Sequence, residues 1–167
     1  MKHVQLNAVA LKRHPQINEA WVQQRIAEDP SLLGLGDVVL RDRERKQPRA
    51  GRLDLLLQDS DSGRRYEVEL QLGETDESHI IRSIEYWDLE RKRYPQYDHC
   101  CVLVAEKITS RFLNVIALFN GFVPLIALQM TAYEVDGGIA LTFTKVLDEM
   151  PLGPVEEDEV EEPTDRA

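Results

Sequence analysis

The chain has 167 residues, of which 43% are hydrophobic and 30% are charged. This apolar fraction supports a folded core and excludes wholesale disorder, and no apolar run approaches the ~20 residues that a membrane span requires. The first residues lack the apolar segment of a signal peptide, so we expect a cytoplasmic protein. The two cysteines, Cys100 and Cys101, are adjacent and are predicted to be reduced core thiols.

The net charge of -10 is unevenly distributed along the chain. Nine acidic residues and one basic residue lie in residues 148–167, which leaves residues 1–147 almost neutral. The overall acidity therefore does not exclude nucleic acid as a partner. We predict a folded domain over residues 1–147 and an acidic, disordered tail over residues 148–167.

The first third of the chain predicts one helix, one strand and one charged loop. Residues 18–28 form the helix, with Asn18 as its N-cap and Pro30 beyond its end. Val38–Leu40 predicts a short strand. The segment Arg41–Arg52 follows with six basic and two acidic residues, and we interpret it as a basic loop.

The middle of the chain predicts a hairpin followed by a long helix. The strands are Leu53–Gln58 and Arg65–Leu72, and the residues between them, Asp59–Gly63, have strong turn chemistry. A helix then runs from about Asp76 to Tyr94, with Thr75 as its expected cap. The five-residue turn makes the two strands antiparallel neighbours.

The remainder predicts a strand, a helix and a second hairpin. The buried strand is His99–Ala105, and a helix capped by Thr109 follows it. Two further strands, Phe122–Val135 and Ile139–Leu147, flank a hairpin turn. This order predicts a mixed α/β domain with a central mixed sheet flanked by helices. The apolar strand from Phe122 to Val135 is the surface on which a homodimer is expected.

Three polar side chains fall on one face of the second hairpin strand. Because side chains alternate along a strand, Glu67, Glu69 and Gln71 share that face. Asp54 lies among leucines in the neighbouring strand and is expected close to Glu69, where the two carboxylates repel each other unless a cation binds. The alternative is structural ion pairing with a nearby arginine: Arg52, Arg64 or Arg65.

The same two strands carry a recognisable motif. Residues 51–56 read GRLDLL, and residues 66–73 read YEVELQLG. Together they resemble the PD-(D/E)xK nuclease superfamily, in particular its RecB-like and NucS-like domains, with G-R-x-D followed by E-h-K-x-G, where h is apolar. The resemblance covers about residues 18–147. E-h-Q-L-G at 69–73 and SHIIRSIEYWD at 78–88 also resemble a narrower prokaryotic group with an ExQ variant of the motif.

The resemblance implies a restriction-endonuclease-like core and Mg²⁺- or Mn²⁺-dependent hydrolysis of nucleic acid, expected to be DNA. Asp54 and Glu69 take the places of the metal-binding acids, and Gln71 takes the place of the lysine. Glu19, on the first helix, matches an acid that often completes such a site. Arg82, on the long helix, is a candidate for the missing lysine's charge; the alternative places it in a surface ion pair.

Two questions stay open at this level. Gln71 carries an amide dipole where the superfamily has a positive charge, so the alternative function is an inactive nuclease-fold module that binds nucleic acid or protein. The charged segment before Asp54 is the expected site of phosphate contacts, although a solvated loop would have the same composition. The candidate DNA-binding residues are Arg43, Arg45, Lys46, Arg49 and Arg52.

Overall fold

A mixed seven-stranded sheet runs through residues 1–150, the part of the chain that this computed structural model describes. Short 3-10 turns lie at Leu11–Arg13 and Pro30–Leu33. The strands are β1 (Asn7–Val9), β2 (Val38–Gln47), β3 (Gly51–Asp59), β4 (Arg65–Glu74), β5 (His99–Lys107), β6 (Leu125–Val135) and β7 (Gly138–Leu147). The helices are α1 (Glu19–Glu28), α2 (Glu77–Arg93) and α3 (Ser110–Phe119).

The sheet combines antiparallel and parallel pairs. Strands β2, β3 and β4 are antiparallel neighbours, whereas β4, β5 and β6 are parallel. Each parallel connection contains a helix, α2 before β5 and α3 before β6, as crossover connections require. Strands β1 and β7 both add antiparallel to β6. The predicted mixed α/β architecture is confirmed.

Hydrophobic cores cover both faces of the sheet. On one face, Val22 and Ile26 of α1 pack with Leu55, Val68 and Leu70 of the central strands. The other face carries the residues of α2 and α3, including Trp87 and Ile116, which pack against alternate residues of β5 and β6. Strand β5 is therefore buried on both faces, which explains its nearly continuous apolar sequence.

The two cysteines lie inside β5. Cys100 packs in the core on the α1 face and Cys101 in the core on the opposite face, and both side chains are completely buried. Both thiols are free, as predicted. Burial raises the pKa of Cys100 to about 12, so this thiol stays protonated and unreactive.

The charged segment after Val38 is not a loop in its first half, and that prediction is wrong. Strand β2 extends to Gln47 and pairs with β3 up to Gly51, with a bulge near Arg41. The strand lies at the edge of the sheet, where one side has no neighbouring strand and charged side chains remain in water. Its charges are therefore compatible with a strand, and only the turn at residues 48–50 is irregular.

Helix α1 begins as predicted, with the Asn18 side chain accepting a hydrogen bond from Trp21 N. Helix α2 does not begin as predicted, because Asp76 caps it by accepting from His79 N. Thr75 is one residue too early for that role, and its hydroxyl instead bonds the His79 ring. The predicted extent of α2 is otherwise correct to within one residue at each end.

Strand β6 is apolar because it is an interior strand. It pairs with β5 and β1, and also with β7 along most of its length. Its apolar sequence is thus explained within one chain, and the homodimer stays a prediction. No helix in residues 1–150 is long and apolar enough to cross a membrane.

The last residues of the described chain contact the domain. Asn120 Nδ2 donates to Asp148 O at 2.6 Å, and Met150 N donates to Asn120 Oδ1 at 3.0 Å. Glu149 forms an ion pair with Arg64. The rest of the predicted acidic tail, residues 151–167, lies outside the described residues.

Candidate metal centre

Strands β3 and β4 separate at the position where the motif acids face each other. Their regular pairing ends at Leu55 and Val68. One residue further, Asp54 N donates to Glu69 Oε1 at 2.9 Å, and Leu70 N donates to Asp54 Oδ2 at 2.7 Å. Side-chain carboxylates here accept hydrogen bonds from the backbone of the opposite strand. The two acids are therefore side by side, as the predicted antiparallel pairing required.

Helix α1 supplies a third polar group, Gln23, which the sequence analysis missed. Its side-chain Nε2 donates to Asp54 Oδ1 at 2.7 Å and to Glu44 Oε1 at 2.9 Å. Gln23 is only 2% exposed. It lies between Val22 and Ile26 on the buried side of α1, and a polar residue on an apolar helix face is the signal that could have revealed it.

Arg82 of α2 lies beside Glu69 of this pair, in agreement with the candidate role that the motif resemblance suggested. Its Nε is 3.6 Å from Glu69 Oε2, and its Nη2 is 3.5 Å from Gln71 Oε1. A third nitrogen, Nη1, donates to Ser78 Oγ at 2.8 Å. The Gln71 amide donates to Glu74 O at 2.7 Å. Arg82 thus connects the Glu69 carboxylate to the Gln71 side chain.

His79 holds the backbone of the site in place. Its Nε2 donates to Glu69 O at 3.1 Å, so Nδ1 accepts from the Thr75 hydroxyl at 2.8 Å. The side chain is completely buried, and this burial lowers the pKa of His79 to about 4. His79 is therefore neutral and positions β4 against α2.

The electrostatics of the acid pair favour a cation. The pKa of Asp54 is raised to about 7, and burial is the main cause. The negative charges of Glu19 and Glu44 raise this pKa further, whereas the hydrogen bond from Leu70 N lowers it. Burial also raises the pKa of Glu69 to about 8, with repulsion from Asp54 as the next cause. Arg82 offsets only part of this cost. The metal-free pair therefore retains a proton near neutral pH.

These side chains fit Mg²⁺ or Mn²⁺ by the chemistry of their donor atoms. Asp54 and Glu69 present hard carboxylate oxygens, and Mg²⁺ needs only one or two carboxylates when water and phosphate oxygens complete its shell. Within residues 1–150 no group of three or more histidine, cysteine, aspartate or glutamate side chains is arranged around a common metal position. Two carboxylates would therefore leave most positions of the shell of such an ion to water or other oxygen ligands.

The arginines that were the structural alternative do not neutralise the pair. Arg64 pairs with Glu149, and Arg65 lies over the rings of Tyr94 and Tyr97. Arg52 is exposed at the start of β3. In the described part of the chain, the cation nearest to Glu69 comes from α2 instead.

Glu67, the other acid on this face of β4, pairs with a buried histidine and has a structural role. Its Oε1 bonds His99 Nδ1, and both side chains are buried. Burial raises the pKa of Glu67, while the bond to His99 opposes that shift. Glu67 thus pairs with His99 two residues before Glu69 on β4, and it takes no part in the candidate metal centre.

The predicted DNA-binding residues, which lie on β2, in the turn after it and at the start of β3, divide into two groups. Arg43 donates to Gln23 Oε1 and to Ala20 O and so attaches α1 to β2. Arg45 donates to the buried Glu90 Oε1 at 2.7 Å and lies over the ring of Tyr94. The remaining three side chains are exposed: Lys46, Arg49 and Arg52. The surface available to a phosphate backbone is therefore the turn between β2 and β3.

The fold and the acid pair can be compared with known proteins. No family model matches the chain, and no curated protein matches it by sequence. Solved structures do match: EndoMS in a complex with double-stranded DNA has a TM-score of 0.56 at 21% identity, over 67% of this chain and 44% of that one. A repair endonuclease from Pyrococcus abyssi has a TM-score of 0.53 at 23% identity, over 64% of this chain and 45% of that one.

The chain has a restriction-endonuclease-like fold. This confirms the fold that the motif resemblance implied, at identities where only the fold is shared. The chain matches less than half the length of either endonuclease, so it corresponds to one part of those proteins. In this nuclease-like fold, Asp54 and Glu69 lie on the two strands that carry the motif.

The raised pKa values predict how metal-free stability depends on pH. Because both folded-state pKa values exceed those of the unfolded chain, the pair stabilises the fold at acid pH, and this contribution is lost as the pH rises through about 7 to 8. The variant Asp54→Asn removes the repulsion between the two acids, so it should lose less stability than the native protein as the pH rises. The difference in unfolding free energy, variant minus native, should increase by more than about 1 kcal/mol between about pH 5 and pH 8. Denaturant melts in EDTA would measure this difference, and a pH-independent difference would contradict it.

Proposed function

We propose that the domain is a divalent-metal-dependent nuclease that hydrolyses phosphodiester bonds in DNA. The observation that supports it best is the pair of buried carboxylates, Asp54 and Glu69, held side by side where β3 and β4 separate. Like charges this close are unfavourable unless they bind a cation. The fold that contains them is shared with repair endonucleases, one of which was solved with double-stranded DNA.

Each residue of the centre has a role in this reaction. Asp54 and Glu69 would hold Mg²⁺ or Mn²⁺, which lowers the pKa of bound water and stabilises charge on the phosphoryl oxygens. Water gives up a proton as its oxygen adds to phosphorus, the bond to the leaving sugar oxygen breaks, and that oxygen takes up a proton, so the number of protons is unchanged. Gln71 would orient the water or the phosphate through its amide, and Glu19 would accept a hydrogen bond from water at the edge of the centre.

Arg82 has two roles in the proposal. In the absence of metal its guanidinium lies 3.6 Å from Glu69 and offsets part of the carboxylate charge. With substrate present, a guanidinium beside the centre stabilises the negative charge that develops on the phosphate. Its side chain is 37% exposed, so solvent and substrate can reach it.

The exposed turn between β2 and β3 would contact the DNA backbone. A triple variant in which glutamine replaces Lys46, Arg49 and Arg52 should bind DNA more weakly. The salt slope, which is the slope of the logarithm of the binding constant against the logarithm of the salt concentration, should decrease by up to about three, one for each phosphate contact. Arg45→Ala should instead destabilise the fold by about 3 kcal/mol, because the buried Glu90 loses its ion pair. Anisotropy titrations at several salt concentrations and melting curves separate the two effects. A triple variant with the native salt slope would contradict this interface.

A cleavage panel tests the proposed function. Single- and double-stranded DNA and RNA are incubated with the native protein in Mg²⁺, Mn²⁺ or EDTA, and Asp54→Asn is the inactive control. Asp136→Asn is a matched control, because Asp136 is exposed in the β6–β7 turn with a φ of 49°, which asparagine also adopts readily. Metal-dependent cleavage that Asp54→Asn alone loses supports the proposal.

The second candidate function is a binding module with the same fold. It is favoured by Gln71, because the charge of the motif lysine is missing from β4. Metal-dependent DNA binding without cleavage, in both the native protein and Gln71→Lys, would support the module and contradict the nuclease.

A further inference from the structure

A cavity of about 680 Å³ opens beside the candidate metal centre. Its walls come from the turn Leu11–Arg13, the start of α1, the end of β4 and Asp76, the N-cap of α2. Gln71 lines it on one side and Glu19 on another, and the charge of Glu19 acts on Asp54. The cavity therefore shares Gln71 and Glu19 with the surroundings of the acid pair. Among residues 1–150, Lys12 is the basic residue that lines this cavity.

The backbone of Lys12 is fixed at this cavity by two anchors. Leu11, the preceding residue, is completely buried in the core. The carboxylate of Glu106, on β5, accepts from Leu11 N and from Lys12 N at 3.2 Å. The same carboxylate accepts from Gly73 N. Glu106 thus attaches the turn that carries Lys12 directly to the end of β4.

Gly73 makes room for the Lys12 side chain. Its φ of +76° suits glycine, and a Cβ at this position would lie 2.6 Å from Lys12 Cδ and 3.4 Å from Lys12 Nζ. The aliphatic part of Lys12 therefore crosses the β4 backbone two residues after Gln71. The lysine side chain is exposed, and within residues 1–150 it forms no ion pair.

Lys12 brings an ammonium group to the cavity that Gln71 also lines. Gln71 has no charge, and Arg82 is already within 3.6 Å of Glu69 and bonded to Ser78. We propose that Lys12 binds a phosphate group of the DNA strand in this cavity and supplies, from the N-terminal turn, the positive charge that Gln71 does not. The inference rests on the proposed function and names the residue that completes its site.

Exchange of the charge between Lys12 and position 71 tests this assignment. Lys12→Ala should lower DNA cleavage about 10²-fold, as for other lost contacts to a charged transition state. Lys2→Ala removes the same charge from an exposed residue that does not line the cavity, and it should leave cleavage unchanged. Adding Gln71→Lys to Lys12→Ala should restore at least tenfold of the loss, because it places an ammonium on the β4 wall of the same cavity.

DNA binding gives a second readout that does not depend on cleavage. Anisotropy of a labelled duplex in Ca²⁺ should show that Lys12→Ala reduces the salt slope by about one relative to Lys2→Ala. A native protein that binds DNA without cleaving it contradicts the nuclease function, and this slope then decides the role of Lys12 by itself.

Two results would overturn the proposal while the nuclease function stands. The first is native cleavage and a native salt slope in Lys12→Ala. The second is a pattern in which both Arg82→Ala and Lys12→Ala lower DNA cleavage, but adding Gln71→Lys restores cleavage only to the Arg82→Ala variant. That second pattern would assign the missing charge to α2. Circular dichroism of each variant confirms that it is folded.

Discussion

Asp54→Asn and Glu69→Gln are each expected to abolish the response of the protein to Mg²⁺ or Mn²⁺ while leaving it folded. Each substitution removes one of the two carboxylates together with its negative charge, and we expect the remaining carboxylate to bind the ion too weakly for a measurable response in the absence of substrate. Cleavage should fall by more than about 10³-fold, because several kcal/mol of charge stabilisation leave with the ion. Each variant also removes one of two repelling charges, so metal-free stability should hold or rise.

Melting curves with and without Mn²⁺ measure both effects in one experiment. The native protein should be stabilised by Mn²⁺, as should Asp136→Asn in the hairpin turn, whereas the two site variants should not respond. An unchanged metal response in both site variants would refute the assignment of Asp54 and Glu69. A large loss of metal-free stability would show that the two acids serve as structural partners for Gln23 and Arg82.

Gln71→Ala should lower cleavage on the order of 10²-fold while metal affinity remains nearly native. The Gln71 side chain lies on the same face of β4 as Glu69, and it contacts Arg82 at 3.5 Å without being a ligand of the proposed ion. Loss of its amide would remove an orienting contact in the transition state, which lowers kcat more than it affects binding.

Gln16→Ala is the matched control for this variant, because Gln16 is an exposed glutamine outside the centre. Single-turnover cleavage rates and Mn²⁺ titrations of the two variants separate chemistry from metal binding. A Gln71→Ala protein with native single-turnover rates would exclude position 71 from the reaction and leave Lys12 and Arg82 as the groups that contact the phosphate.

The acid pair was predictable because its signals are local. Asp54 interrupts a run of leucines, and Glu69 lies on a strand that alternates polar and apolar residues only a short turn away. Strand periodicity and one five-residue turn are sufficient to place the two carboxylates together. The resemblance to the nuclease superfamily suggested Arg82 as a further group of the centre, and its Nε lies 3.6 Å from Glu69 Oε2.

The residues that were missed act through contacts between distant segments. Gln23 reaches Asp54 across 31 positions, and Lys12 meets Gly73 only because the N-terminal turn docks on β4. A polar residue on the apolar face of α1 indicates that Gln23 is buried, but the sequence around Gln23 or Lys12 does not identify the residue that it contacts. Arg43 and Arg45 lie in a basic segment whose composition is typical of a DNA-binding loop. Only the structure shows that Arg43 bonds to α1 and that Arg45 pairs with Glu90.

Glu106 also determines when the site can be completed during folding. Its bond to Leu11 N joins residues 95 positions apart, whereas Asp54 and Glu69 are separated by 15. Contacts between distant residues carry a larger loop-closure cost, and they form after the local hairpin. We therefore expect a nascent or partly unfolded chain to bring its two acids together before the turn that carries Lys12 docks, so that Lys12 and the acids would be held together only in the fully folded domain.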